Sequence, residues 1–246
     1  MRNMDAGVPD AGATLIRRLE KLAKLTSVDR DAIQGLAFTS KAVRSNDQLV
    51  RDGAMVTECC LLLDGYACRY KVSADGKRQI VSFHMPGDML DLQHLLLARA
   101  DHSVQTITHA KVAWVSAKSL KQLAQSYPAI NEAFWRENLI DASIFREWVL
   151  NVGRRPAKAR VAHMLSEFAT RREAAGLGAP DLIELPMTQE QIADATGLTT
   201  VHVNRMLAEL ERDGAVTRGG RALRIRNWQL FRQIGDFDPA YLHLAA

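Results

Sequence analysis

The sequence predicts an α+β chain in three parts: an N-terminal antiparallel β-barrel, one long helix, and a C-terminal helix-turn-helix followed by a β-hairpin wing. Three observations predict it. Turn dipeptides recur at about ten-residue intervals through residues 38–115. Apolar residues at helical spacing fill residues 119–152. Residues 188–210, TQEQIADATGLTTVHVNRMLAEL, spell two short helices that meet at a glycine.

Small and polar residues lead to about Ala13, where a helix through Leu15, Leu19, Leu22 and Leu25 is expected. Ser27-Val28-Asp29-Arg30 opens a second helix ending near Leu36. The barrel is punctuated by Asp52-Gly53, Asp64-Gly65, Asp75-Gly76 and Pro86-Gly87-Asp88, and a strand through Ile80, Val81 and Phe83 folds as a hairpin onto residues 66–72. The long helical zone is interrupted at Tyr127-Pro128. Its later part is more apolar than one domain needs to cover, so a second copy of the chain is expected to pack on Ile130, Phe134, Ile140, Ile144, Phe145 and Trp148; packing on the barrel alone is the alternative. Gly153 reads as a hinge. Residues 154–169 then read as a helix with Val161, Met164, Leu165 and Phe168 inward, and residues 171–180 as a loop or fraying helix end. The divisions expected are 14–118 for the barrel, 119–152 for the dimerising helix and 153–246 for the winged unit.

In the winged unit, Thr188 caps a helix and Gln191, three residues on, completes a capping box, with Ile192 and Ala193 inward. Gly197 supplies the left-handed residue that a sharp reversal needs. Thr199 caps the next helix, where Val203, Met206, Leu207 and Leu210 form an apolar stripe. Thr200, Val201, Asn204, Arg205 and Ala208 fall on the opposite side. Such a short-chained face bearing one arginine fits a DNA major groove, because small side chains allow close approach and a guanidinium can bond two acceptors of guanine. Any amphipathic helical hairpin shares part of this pattern. The hairpin that follows, residues 215–225 with a Gly-Gly turn, adds to it: Arg218, Arg221, Arg224 and Arg226 could reach phosphates beside the groove. Thr188 and Gln189 complete the expected DNA-facing set.

Composition agrees. The chain has 246 residues, 47% of them hydrophobic, a net charge of +4 and a pI near 9.1, compatible with a polyanionic partner. Cys59, Cys60 and Cys68 are an odd, bunched set, which argues against a secreted disulfide framework and for a reducing cytoplasm. No signal peptide pattern is visible, and apolar runs such as residues 59–63 fall far below the roughly 20 residues needed to cross a bilayer. No glycine-rich phosphate loop, nucleophile elbow or cupin-type His-x-His grouping is present, so no catalysis is expected.

The Asp-Gly turns, the Pro86-Gly87-Asp88 motif, the long helix, the RRPAKARVAHML helix (residues 154–165) and the winged helix-turn-helix occur in an order that resembles the Crp/Fnr regulators over about residues 14–230. The resemblance implies a cyclic-nucleotide-binding-like jelly roll as sensor, dimerisation through the long helix, binding to a two-fold operator on double-stranded DNA, and contact with RNA polymerase. Base-reading positions carry over to Thr200, Val201, Asn204 and Arg205, with Thr199 and His202 near the DNA backbone. Thr200-Val201 stands where many relatives have Arg-Glu, so a different operator is expected.

Cyclic-nucleotide members place a Gly-Glu after the turn and an Arg-Ser or Arg-Ala later. Here Leu92 holds the glutamate position, and Arg99 is out of register and closely followed by Asp101, so cyclic AMP is not expected. Asp88, Asp91, Leu92, Arg99 and Ser103 remain candidates for another small effector. An iron-sulfur cluster is not expected either, because residues 1–58 contain no cysteine. His84, His94, His102 and His109 lack tight ligand spacing and no metal ligand is assigned; haem stands as an alternative only by analogy with carbon-monoxide-sensing relatives. Other readings are a redox-responsive regulator, a constitutive regulator without effector, or a ligand-binding adaptor whose helix-turn-helix makes protein contacts.

Overall fold

Caps set the first two helices. In the structure, a computed structural model that describes residues 10–220 and 222–244, α1 (Ala11–Leu19) starts at Asp10, whose carboxylate accepts from the Gly12 amide. Helix α2 (Ser27–Gln34) starts at a capping box between Thr26 and Asp29. Leu22 and Leu25, expected on the first helix, lie in the turn beyond it, yet both are buried.

Seven strands follow: β1 (Thr39–Val43), β2 (Gln48–Val50), β3 (Glu58–Asp64), β4 (Ala67–Val72), β5 (Arg78–His84), β6 (Ser103–Thr106) and β7 (Ala110–Ser116). They pair antiparallel in two sheets, of order β1-β7-β3 and β2-β6-β4-β5, rather than closing into a single hydrogen-bonded barrel. Because successive side chains on a strand face opposite ways, each sheet serves two cores. Val50, Cys60, Leu62, Ala67, Val104 and Val112 fill one cluster of the β module. Cys59, Leu61, Leu63 and Val115 belong to another, with α1. Cys68, Ile80 and Phe83 belong to the core of the C-terminal helices.

Asp64-Gly65 joins β3 to β4. Gly65 has φ +83, and a β-carbon there would sit 2.8 Å from the Ala110 α-carbon and closer still to the His109 carbonyl oxygen, so the turn needs glycine twice over.

Helices α3 (Ala117–Ser126) and α4 (Pro128–Arg154) meet at Tyr127-Pro128. Gly153, expected at a hinge, lies within the last turn of α4. The helix ends at Arg155, with φ −71 and ψ 143, because Pro156 pushes the residue before it into extended backbone. Helix α5 (Ala157–Ala174) runs further than the sequence suggests, taking in Arg171 and Arg172. After it come β8 (Leu182–Glu184), α6 (Gln189–Thr196), α7 (Thr200–Arg212), β9 (Val216–Gly219), β10 (Ala222–Ile225) and α8 (Trp228–Gly235). Strand β8, unforeseen in the sequence, joins the wing in a sheet of order β8-β10-β9.

The apolar tail folds back: Phe231, Phe237 and Leu242 are buried, and the Tyr241 hydroxyl donates to Glu167 Oε2 at 2.8 Å. Among the described residues no helix is long and apolar enough to cross a membrane.

Gly53 has a similar φ, +80, but nothing lies within 4 Å of its would-be β-carbon. Gly53→Ala should therefore cost only the left-handed strain, about 1 kcal/mol, whereas Gly65→Ala should cost several times more. Urea unfolding of the two variants measures the difference, and equal losses would contradict the steric reading of Gly65.

Candidate nucleic-acid interface

Local chemistry builds the helical hairpin. The Thr188 hydroxyl accepts from the Gln191 amide at 3.2 Å while Gln191 Oε1 accepts from the Thr188 amide at 2.8 Å, starting α6. Gly197 then takes φ 65 and ψ 37, and the Thr199 hydroxyl accepts from the His202 amide at 3.2 Å to start α7. Val203, Met206, Leu207 and Leu210 are buried. Burial of that stripe leaves Thr200, Val201, Asn204 and Arg205 exposed and His202 and Ala208 partly so. With Gln189 from α6, the outer residues line a shallow hollow of about 430 Å³. Val201, on this outer face, is 82% exposed.

The wing arginines do not behave alike. Arg218 donates from its backbone N–H and from Nε to the Glu211 carboxylate, 3.0 Å each, and from Nη1 to Asn204 Oδ1 at 3.2 Å. These bonds hold the Glu211 carboxyl below its ordinary value. Arg218 is thus engaged through its backbone N–H, Nε and Nη1 by groups of its own chain. Arg224 is exposed, 3.7 Å from Asp181, and Arg226 is exposed too. Arg221 lies outside the described residues.

On α4 most of the residues expected to meet a second copy are covered by their own chain. Ile130, Phe134, Ile144 and Trp148 are buried within their own chain, the first two against the N-terminal helices and the last two against α5 and β5. Ile140 and Phe145 are half-buried. The large apolar residues that α4 exposes are Trp135, Leu139, Val149 and Leu150.

The five candidate effector residues do not converge. Arg99 is exposed and donates to the Gly53 carbonyl, while the Ser103 hydroxyl accepts from the Asp52 amide. Asp88 points toward the C-terminal helices: its Oδ2 accepts from the Met85 amide and from Arg171 Nη2, both at 3.1 Å, and Oδ1 lies 3.7 Å from Arg18. A cavity of about 540 Å³ between α1, α4, α5 and the tail is lined by Asp88 and Leu92 but not by Asp91, Arg99 or Ser103.

Asp91 is wholly buried; Oδ1 accepts from the Cys60 amide at 2.9 Å and Oδ2 has no partner among the described residues. Arg69 reaches across from β4 to Asp141 of α4 at 2.7 Å, and the His94 and His102 rings stack 5.8 Å apart. Among the described residues no three His, Cys, Asp or Glu side chains group as a metal site. The three thiols are buried and unpaired by disulfides, and burial pushes each well above its ordinary value, Cys68 to about 12.

A β module of the cyclic-nucleotide-binding type, joined through a long helix to a winged helix-turn-helix, defines a class of DNA-binding regulator. Residues 40–127 match the family model of the cyclic nucleotide-binding domain and residues 159–234 that of the Crp-like helix-turn-helix domain. The nitrogen fixation regulation protein FixK of Bradyrhizobium diazoefficiens is 34% identical over 185 residues, covering 73% of this chain and 75% of that protein. The transcriptional activator protein FnrL of Cereibacter sphaeroides is 26% identical, covering 74% of this chain and 73% of its own length. The solved structure of FixK2 from Bradyrhizobium japonicum superposes with a TM-score of 0.75 at 26% identity over 81% of this chain and 98% of that one. The chain belongs to the Crp/Fnr family of DNA-binding transcription regulators.

Burial pushes the Asp91 carboxyl up from 3.8 to about 7. The folded chain therefore keeps a proton that the unfolded chain has already released, and stability from this group falls as the pH rises from about 4 to about 7. Asp91→Asn should raise stability above pH 7 relative to the parent and remove this component of the slope, as read by urea unfolding at pH 5 and pH 8. A variant tracking the parent at both values would refute the assignment.

Proposed function

We propose that the chain works as a homodimer on a two-fold operator, with one α7 in each of two successive major grooves about 34 Å apart. The outer face of α7 carries this reading, since it holds only short side chains around one exposed arginine, Arg205. In this reading Arg205 bonds a guanine, Val201 meets a thymine methyl, Thr200 and Asn204 read neighbouring edges, and Thr188, Gln189, Thr199 and His202 lie near the strands. Arg224 and Arg226 supply cations beside the groove.

The dimer contact in this proposal is Trp135, Leu139 and Val149, which with Ala142 and Arg146 recur at alternating steps of four and three along α4, the spacing of a two-helix seam. The β module acts as the sensor, and cyclic AMP is not its effector because Leu92 offers no acceptor to a ribose hydroxyl. Contact with RNA polymerase, a cytoplasmic site of action and the absence of catalysis belong to the same proposal.

Arg205→Ala should relax preference at one base pair per half-site by about 1–3 kcal/mol without abolishing salt-sensitive binding. Competition gel shifts with substituted duplexes read this directly; an unchanged preference would remove Arg205 from the reading. Leu139→Asp should yield a folded monomer in sedimentation experiments, whereas Phe134→Asp should unfold the chain, because only the second side chain is buried in its own core. A Leu139→Asp dimer would place the seam elsewhere.

A further inference from the structure

We infer that Arg218 of the wing is a positioning residue that fixes which edge of Asn204 faces the bases, and so makes α7 select guanine or thymine rather than adenine at the position Asn204 reads. This rests on the groove-reading role of α7 proposed above.

A guanidinium has donors and no acceptor. The 3.2 Å contact from Arg218 Nη1 therefore requires the oxygen of the Asn204 amide, not its nitrogen, to face the wing. The nitrogen, with its two donors, is left to face outward. An asparagine that reads adenine uses both ends, its oxygen accepting from N6 and its nitrogen donating to N7. The oxygen keeps a second lone pair, but turned toward the wing by Arg218 it lies off the edge that Asn204 presents to the bases, and that edge carries its donors. N7 and O6 of guanine and O4 of thymine match that edge, while the amino group of cytosine opposes it and adenine loses one of its two bonds.

Three features hold Arg218 in this role. Glu211 accepts from both its backbone N–H and its Nε, so the guanidinium is anchored at two points before it reaches Asn204. Asn204, Ala208 and Glu211 follow one another along a single face of α7, and the small side chain of Ala208 leaves room for a guanidinium between the outer two. Leu223, paired with Arg218 across the hairpin, is buried, which pins the backbone of β9 at this point. The Arg218 side chain is accordingly 29% exposed against 50% for Arg224.

The test uses the full chain in two stages. Selection from a randomised duplex pool with the parent and Asn204→Ala identifies the base pair whose preference depends on Asn204. Competition gel shifts then compare four duplexes differing only there. The parent should favour guanine or thymine over adenine by about ten-fold, and Arg218→Ala should erase most of that margin against adenine. Glu211→Gln should move the preference the same way, and Arg218→Ala in the Asn204→Ala background should leave this base pair unchanged.

If Arg218→Ala loosens the wing, Arg218→Gln, whose amide carries an acceptor as well as donors and so no longer dictates which end of Asn204 faces the wing, should still admit adenine. An equal loss on all four duplexes, with a salt slope reduced by about one, would overturn the inference and make Arg218 a phosphate contact. So would a parent that already prefers adenine. Failure of the parent to bind any duplex would sink the groove-reading role as well, a result distinct from either of these.

Discussion

One guanidinium shared between two buried carboxylates holds the halves of the chain in their present relation. Arg171 of α5 donates to Asp88 at 3.1 Å and lies 3.5 Å from Glu167, while its Nη1 also donates to the Phe83 carbonyl of β5. The two acids respond oppositely. Asp88, with Arg171, Arg18 and His84 about it, is held well below the ordinary carboxylate range despite its burial. Burial outweighs the partners of Glu167 and raises it. Trp148 Nε1 and the Tyr241 hydroxyl both donate to Glu167, so α4, α5 and the C-terminal tail meet at one carboxylate. Removing one member of such a buried set leaves an uncompensated charge and typically costs about 3–5 kcal/mol. The tail, which has no evident part in reading DNA, thereby acquires a structural role.

The apolar contacts follow the same line. Phe83 of β5 meets Trp148 of α4 at 6.1 Å and Phe168 of α5 at 6.2 Å, both edge to face. Each of the three sits on a different element, so α5 is positioned against the sheet and the long helix at once. The helix-turn-helix packs on α5 through residues such as Val161, Leu165 and Leu207 of the same core. The place of α7 is thus inherited from the Arg171 junction, and its outer face is defined by what α5 does not cover.

How much of this could be read in advance depended on whether the cause was local. Thr188, Gln191, Gly197 and Thr199 act within a few residues of themselves, and the hairpin they specify was legible in the sequence down to its caps. The turn at Gly65 was legible for the same reason. Which α4 residues are covered within the chain was not, because that helix meets the N-terminal helices, α5 and β5 in turn, and an apolar residue such as Phe134 or Trp148 looks the same in sequence whichever neighbour covers it. Strand β8 is not legible in the sequence because it is three residues long and gains its ladder only from β10. Arg218 looked like any wing arginine; its engagement depends on Asn204 and Glu211, fourteen and seven residues away, being brought together by β9 turning back along α7.

The contact between the two modules also constrains how a signal could travel. Arg78 of β5 pairs with Asp194 of α6 at 2.7 Å, and Gln79 donates to the Ala195 carbonyl at 3.3 Å, so the first helix of the reading hairpin rests directly on the strand beyond the Asp75-Gly76 turn. Because α7 rides on α6, a shift of β5 must either carry the reading face with it or break the Arg78 ion pair. The ion pair is three-quarters buried, which makes its loss more costly than that of a surface pair. Arg69, on β4 beside β5, is tied to α4 through Asp141. Movement of this one hairpin therefore acts on α6 and on α4 together, and coupling between sensing and reading requires no contact between an effector and the DNA-facing unit. In the proposed reading, with the β module as sensor, it requires two positions of the β4–β5 hairpin whose balance a bound effector would tip.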